Sequence, residues 1–528
     1  MKLTCDLKYE LARVLKLLVL VAVLFSPVAI FICIRMRVFD SYKQHYAVVI
    51  DAGSVHTTLQ LYQYPTQNPY NSTIGSVDQV LSCEISGDIG ISSLSRPEYV
   101  KDLIYSGNCW EKVSNYTNDD FKVNETSNFI GGTSGMRQLK ISSPKKAKRT
   151  INYLNQELKR KFPVNSNAWI LSNSDEGKYG WLSTNYLLHG KDIRLDNQVG
   201  SLDWGGGSAE ITYATLESSV DQVKIFNQSI NIFTRSDECY GQRQGLMRYY
   251  TLLILDNFER SLNLDSQIEA PCQPKASEFS ITSREILASK CAELKVPSQK
   301  KKSMLSSRKY WHFTGTSNHS QCQRITEGLF DDHECKSTFK SNCFKQFSFQ
   351  EFKPKEFYAF STYFYTSSAL DLDLNLELQA SHQKTQDLCQ KPYENHPLKH
   401  LGQENVMNQC FRGVFMNTLL EVGYGFNTSQ TRITMVQKVQ GQVVDWTLGY
   451  LLDKFVDDIP IINDKKWIWH YCWWFQPVSL TFAGLTLLYI AYFGIKRLYR
   501  WYTNRGQVNL DDSRGSMISN PDDDCCVC

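Results

Sequence analysis

Two stretches of this chain share one grammar, and that repetition constrains the fold more than any other feature. Ser201 to Tyr213 reads as strand, glycine turn, strand: Asp203 ends the first strand and Gly205, Gly206, Gly207 and Ser208 make the turn. Val48 to Tyr62 reads the same way, with an apolar run ending at Asp51, a turn through Gly53 and Ser54, and an alternating strand beyond. Successive glycines permit a backbone with φ > 0 that approaches a ligand closely. The N–H groups of such a turn form an anion-binding nest, and the aspartate beside it can hold a cation directly or through water. An acid next to a nest suits a metal–phosphate complex. A single hairpin of this kind is equally an ordinary tight-turned β-hairpin. Two of them, about one domain length apart, point to two similar lobes gripping one polyphosphate.

The 528 residues leave room for two or more domains, and the net charge of +3 carries no strong field. With no basic–aromatic patch and no zinc-finger spacing, nucleic acid is excluded as a partner. Two apolar runs stand at the ends. Residues 17–34 are broken only by Ser26 and Pro27 and just reach the length that spans a bilayer. A cleaved signal peptide is the alternative, disfavoured because no clear small-residue cleavage site follows. Residues 478–495 follow an aromatic belt of Trp473, Trp474 and Phe475, and Lys496, Arg497 and Arg500 place the far end in the cytosol. Both tails, 1–16 and 496–528, are then cytosolic, and the membrane helices offer a surface for a homo-oligomer.

The body between the runs carries six N-x-[ST] acceptors, Asn71, Asn115, Asn124, Asn227, Asn318 and Asn427, and neither tail carries any. That distribution predicts a two-pass membrane protein whose large domain is extracellular or lumenal, at the plasma membrane or in Golgi or lysosome. The body also holds ten cysteines, Cys83, Cys109, Cys239, Cys272, Cys291, Cys322, Cys335, Cys343, Cys389 and Cys410, which reads as five disulfides of open connectivity. Cys525, Cys526 and Cys528 form a terminal cluster, either acylated or plainly reduced.

Between the two hairpins lie three further signals. Asn128 to Arg137 reads as a strand, a Gly/Thr/Ser loop and a helix start, which is either a phosphate-binding loop or a capped turn. Ala147 to Lys161 reads as an amphipathic helix with Ile151, Leu154 and Leu158 on one face. Trp169 to Trp181 reads as a strand running into a polar turn that bears Asp175 and Glu176, followed by a helix. Glu176 is there either a general base aimed into a cleft or an acid that favours a helix N-terminus. Farther on, helical segments fall near Leu246 to Phe258. The aromatic run Phe357 to Tyr365 is either core or a ring for a base to stack on, and Asp445 to Tyr450 precedes the second apolar run.

Five of these pieces, in order, resemble the ecto-nucleoside triphosphate diphosphohydrolases, the membrane-bound apyrases. Asp51 to Thr57, Gly132 to Arg137, Glu176 to Trp181, Asp203 to Glu210 and Trp446 to Tyr450 are similar to the five short regions of that family. The resemblance implies an α/β fold of two RNase-H/actin-like lobes with a cleft between, flanked by an N-terminal and a C-terminal transmembrane helix. Lobe I takes 45–170, completed by about 432–466, and lobe II takes 171–431. It implies stepwise hydrolysis of nucleoside tri- and diphosphates with Ca²⁺ or Mg²⁺. By motif position, Ser54, His56, Thr57, Thr133 and the turn Gly205, Gly206 and Gly207 bind phosphate. Glu176 is the general base and Ser208 positions the attacking water. Asp51 and Asp203 hold the metal through its water shell, with Trp446 packed nearby, and Tyr365 is the base-stacking ring. The family's order also implies the pairs Cys83–Cys109, Cys239–Cys291, Cys272–Cys322, Cys335–Cys343 and Cys389–Cys410.

Three departures stand out. Glu210 occupies the family's Gln position, and a carboxylate cannot donate the hydrogen bond that an amide can. Gln242 and Asn405 stand where relatives carry arginines near the base. These changes keep a catalytically weakened nucleotide-binding membrane protein as the alternative to a nucleotidase. They also leave two outcomes for Glu210, a handicap or a working metal-side acid.

Overall fold

The computed structural model describes residues 44–455, apart from 66–75, 87–89, 117–120, 123–124, 163–164, 218–220, 226–227, 261–266, 296–308, 348–353 and a few single positions, together with residues 491–503. Residues 44–455 fall in one compact unit, and the helical residues 491–503 belong to a second. The apolar run 17–34 and most of 478–495 lie outside the described residues, as do Asn71, Asn124, Asn227 and Cys525 to Cys528. No helix among the described residues is long and apolar enough to cross a membrane.

The first sheet is built from β1 (Gln44–Ala52), β2 (Thr57–Pro65), β3 (Asp78–Ser86), β4 (Ser127–Gly132) and β5 (Asn167–Ile170) in the order β3-β2-β1-β4-β5. The first three strands run antiparallel as a meander, and β4 and β5 add in parallel. β1 is apolar at nearly every position because both its faces are covered. Tyr46, Val48 and Ile50 face one buried cluster, and Ala47 and Val49 face another that contains Trp181 and Trp446. Fully burying side chains of this size contributes about 1.5–3 kcal/mol each.

Between β4 and β5 run α1 (Ser134–Ser142) and α2 (Pro144–Lys161). α2 buries Leu154 and Leu158 on the sheet, while Ile151 is only partly covered. It begins three residues before the expected Ala147, because Pro144 suits a first helical turn, where its missing N–H has no partner to lose.

The second sheet repeats this plan. β6 (Gly200–Trp204), β7 (Ser208–Ala214), β8 (Asp221–Ile225) and β9 (Gln228–Glu238) come first. After a small sheet of β10 (Ile268–Ala270), β11 (Glu278–Thr282) and β12 (Tyr310–Gly315), the parallel strands β13 (Glu356–Ser361) and β14 (Arg432–Met435) complete it. The order β14-β13-β6-β7-β9-β8 is the first sheet's order with β8 added at the edge. β6 stands where β1 stood, so both aspartate hairpins occupy the same place in their sheets.

Helix α3 (Asn173–His189) follows β5 directly and packs on the second sheet, and α4 (Gln242–Arg260) follows β9. α5 (Thr362–Ala369) follows β13, and α6 (Gln403–Thr418) lies against it. The chain then returns to the first sheet: α7 (Trp446–Phe455) stacks Tyr450 on Trp169 with ring centroids 4.4 Å apart and presses the Trp446 indole against Gly131. Five disulfides join Cys83–Cys109, Cys239–Cys291, Cys272–Cys322, Cys335–Cys343 and Cys389–Cys410, the pairs the family resemblance implies. The described sequons Asn115, Asn318 and Asn427 are all exposed.

Candidate active site

Strand register places the acids. Asp51 in β1 pairs across the ladder with Thr58, and Asp203 in β6 pairs with Glu210, a separation of seven residues in each hairpin. The hairpin tips meet across a cleft: a Cβ at Gly206 would lie 2.6 Å from Ser54 Oγ and 2.5 Å from Val55 Cγ2. Glycine is required there by crowding. The backbone reason expected from sequence does not apply, since none of Gly205, Gly206 and Gly207 adopts a positive φ. The turn closes instead with Gly205 N–H donating to the Ser208 carbonyl at 3.0 Å.

The cleft encloses about 570 Å³. Asp51, Ser54, His56, Thr133, Glu176, Asp203, Gly205, Gly206, Gly207, Ser208, Tyr365 and Trp446 all line it. Two expected residues do not. Thr57 is fully buried in β2, and its neighbour Thr58 lines the cleft instead. Adjacent strand residues point to opposite faces, and Thr58 is the one that shares Asp51's face. Glu210 lies off the cleft wall, 2% exposed, with Ser236 Oγ donating to its Oε1 at 2.7 Å. His56 is exposed and its Nδ1 lies 3.0 Å from Glu84 Oε1.

Glu176 is in the first turn of α3 and not in a turn before it. Ser172 caps the helix by accepting the Asp175 N–H at 3.1 Å, so both acids lie at a helix N-terminus. Glu176 is therefore a helix N-terminal acid and, 8% exposed, also lines the cleft.

At the centre lies a residue that the motif contained but to which no role had been assigned. Arg137, one turn into α1, donates to Glu176 Oε2 at 2.5 Å, to Ser208 Oγ at 3.1 Å and to the Leu171 carbonyl at 3.3 Å. It also pairs with Glu238 at the end of β9. Burial opposes its charge, but Glu176, Glu238 and Glu210 outweigh burial and hold the guanidinium charged. Three other residues escaped the sequence reading as parts of the site. Glu238 accepts from Ser134 Oγ at 2.7 Å. Asp445 lines the cleft and accepts from Gln60 at 3.1 Å. Arg412 of α6 donates to Gln242 at 3.1 Å, to Asn405 at 2.9 Å and to Glu404 at 2.6 Å. An arginine thus lines the cleft beside Gln242 and Asn405, the two positions that differ from the arginines of the family resemblance.

The carboxylates outnumber the cations in this interior, and their pKa values respond. Burial first, then Glu176 and Asp445, push Asp51 far up; burial, then Glu176, pushes Asp203 to about 7. Burial, then Glu176 and Asp203, raises Glu210 strongly, and burial raises Asp445. Burial also raises Glu176, with Arg137 opposing it. Raised carboxylate pKa values mean that the folded state holds protons that the unfolded chain has released, so stability falls as pH rises through that window. In EDTA the melting temperature is therefore expected to drop between pH 5 and pH 8, and added Ca²⁺ or Mg²⁺ should recover much of the loss at pH 8. A flat pH profile in EDTA would contradict the acid cluster.

Two sheets of repeated topology, with hairpin tips opposed over buried acids, define an α/β actin-like NTPase fold. The model of the GDA1/CD39 (nucleoside phosphatase) family matches residues 37–465, and the chain belongs to that family of hydrolases acting on phosphoanhydrides. It is 31% identical to ectonucleoside triphosphate diphosphohydrolase 8 of Gallus gallus, over 77% of this chain and 82% of that protein. It is 30% identical to ectonucleoside triphosphate diphosphohydrolase 2 of Mus musculus, with the same coverage. The crystal structure of a nucleoside triphosphate hydrolase from Neospora caninum shares the fold, with a TM-score of 0.59 and 14% identity over 81% of this chain and 96% of that one.

Proposed function

We propose that this chain hydrolyses nucleoside tri- and diphosphates, releasing phosphate one group at a time by attack of water on the terminal phosphorus. The observation that carries this reading is the convergence of Ser54, Thr133, Glu176 and Ser208 on one cleft between matched hairpins. The names of the relatives, triphosphate diphosphohydrolases, support the substrate class.

In this reading the terminal phosphate lies between the hairpin tips and takes hydrogen bonds from the hydroxyls of Ser54 and Thr133. The Glu176 carboxylate accepts the proton of the attacking water, and Ser208 Oγ holds that water. Arg137 donates to both Glu176 and Ser208, which ties base and hydroxyl into one geometry. Positioning and charge stabilisation of this kind suffice without a covalent intermediate.

Ca²⁺ or Mg²⁺ fits the residues present. Both are hard cations that take oxygen ligands, and Oδ1 of Asp51 and of Asp203 are buried with no hydrogen-bond partner among the described residues. Those two aspartates would hold the cation through its water shell. When bound, the cation neutralises phosphate charge. The nucleobase would stack on Tyr365, which is 60% exposed, whose hydroxyl accepts from Gln437 at 3.1 Å, and which lines the same cleft as Arg412.

Purified full-length protein is expected to release phosphate from ATP, ADP and UTP with Mg²⁺ or Ca²⁺ and to stop in EDTA. Nucleotide binding without phosphate release under any cation would refute hydrolysis. We place the body outside the cytosol between two membrane spans, on the strength of the sequons and apolar runs. Glycosidase treatment should then lower the apparent mass, and an unchanged mass would count against that topology.

A further inference from the structure

We propose that Glu210 binds a divalent cation directly, together with Asp203 and with Glu176 as the third acid, before any nucleotide arrives. The site differs from a hydrated cation resting on Asp51 and Asp203, because here carboxylate oxygens replace water in the coordination shell.

Three observations point to a ligand. First, Asp203 and Glu210 are direct cross-strand partners. Such partners share one face of the sheet, and like charges placed opposite each other destabilise a ladder. Two buried acids in that relation must either hold a proton or share a counter-charge. Second, one carboxylate oxygen from each of Glu176, Asp203 and Glu210 lies within 4.8 Å of the others, close enough to share one ion. Third, the donors are unspent. Oε2 of Glu210, on a side chain only 2% exposed, has no hydrogen-bond partner among the described residues, and neither has Oδ1 of Asp203. A buried polar atom without a partner is costly, so its presence calls for something that completes it.

Arg137 does not supply that completion. Its nearest nitrogen lies 4.0 Å from Glu210 Oε1, beyond hydrogen-bonding distance, and its strong contacts go to Glu176 and Glu238. Ser236 holds Oε1 and so fixes the carboxylate while leaving Oε2 open. An all-carboxylate set selects a hard cation such as Ca²⁺, Mg²⁺ or Mn²⁺ over softer metals. The proposal uses the cation of the hydrolytic reading but needs no hydrolysis.

Mn²⁺ is the probe, read by electron paramagnetic resonance on the full-length protein without nucleotide. Wild type should bind one Mn²⁺ per chain at this site, displaceable by Ca²⁺ or Mg²⁺. Glu210→Gln, which keeps side-chain size and an oxygen for Ser236, should weaken that binding by about tenfold or more, the loss expected when a metal site gives up a group that tunes it. Unchanged affinity in Glu210→Gln would overturn the proposal. A second measurement needs no variant: in ¹⁷O-labelled water, Mn²⁺ held by carboxylates carries fewer than six waters. Six retained waters, or no Mn²⁺ binding without nucleotide, would also overturn it. Phosphate release by wild type separates the two ideas. Hydrolysis with a fully hydrated Mn²⁺ defeats only this inference, and carboxylate-bound Mn²⁺ without hydrolysis defeats only the hydrolytic reading.

Discussion

Glu176→Gln is expected to lower kcat by about 10²–10⁴-fold, the usual worth of general-base assistance, while nucleotide binding persists. The substitution keeps the size of the side chain and an oxygen that still accepts from Arg137, but it removes the group that takes the proton. The loss should fall on kcat more than on KM, because proton transfer belongs to the transition state and not to ground-state binding. The wild-type pH profile supplies a second check. Burial raises the pKa of Glu176, with Arg137 opposing, and the base works only when ionised. The acid limb of kcat/KM should therefore lie above the ordinary carboxylate range, activity falling as pH drops through it. Steady-state kinetics on purified wild type and variant at matched metal decide the matter, and full activity in Glu176→Gln would remove Glu176 from the mechanism.

Why Glu176 was readable and its partners were not is a matter of range. The paired hairpins are legible because their signal is local: apolar run, Asp, small-residue turn and alternating strand all fall within a few positions. Repetition of that pattern at the same place in two sheets of matching order follows from it. The start of α3 was also readable, since Ser172 and Asp175 form a Ser-x-x-Asp capping signal, and the structure shows that cap. Thr57 and Thr58 are two adjacent threonines that composition cannot separate. Only register tells which of them shares Asp51's face, and a one-residue slip reverses the answer.

The glycine turn shows a different limit. Gly206 and Gly207 are necessary, but the reason is the opposite hairpin pressed against Gly206 and Ser134 of α1 pressed against Gly207, whereas a Cβ at Gly205 would meet only the Ser208 carbonyl at 3.6 Å; contacts between segments so far apart leave no local trace. The same holds for charge. Glu238 is 101 residues from Arg137, and Arg412 is 170 from Gln242. Each reads as an ordinary polar residue on a strand or helix until the fold brings it in. Disulfide pairing was likewise closed to spacing and came only from the family's order. The five bridges of the structure match that order.

Arg137→Met should be the most destabilising single change in the site, by about 3–5 kcal/mol, the cost of removing one partner from a buried charge pair. Arg137 faces Glu176, Glu238 and, at 4.0 Å, Glu210, with only 9% of its side chain exposed. Without the guanidinium these acids keep their burial and lose their counter-charge. Arg137→Lys should rescue only part of the loss, because one ammonium cannot span Glu176, Glu238 and Ser208 with a rigid fork. Removing the positive charge also raises the Glu176 pKa further, so a smaller fraction of the base is ionised at neutral pH. Any folded Arg137→Met protein should therefore show its acid limb moved to higher pH. The double variant Arg137→Met/Glu238→Gln tests whether charge or packing is at stake. If the cost is an uncompensated carboxylate, removing Glu238 as well should recover part of the stability, and a double-mutant cycle measures the coupling. Strictly additive losses, or an Arg137→Met protein as stable as wild type in matched EDTA melts, would show that Arg137 does not neutralise this cluster.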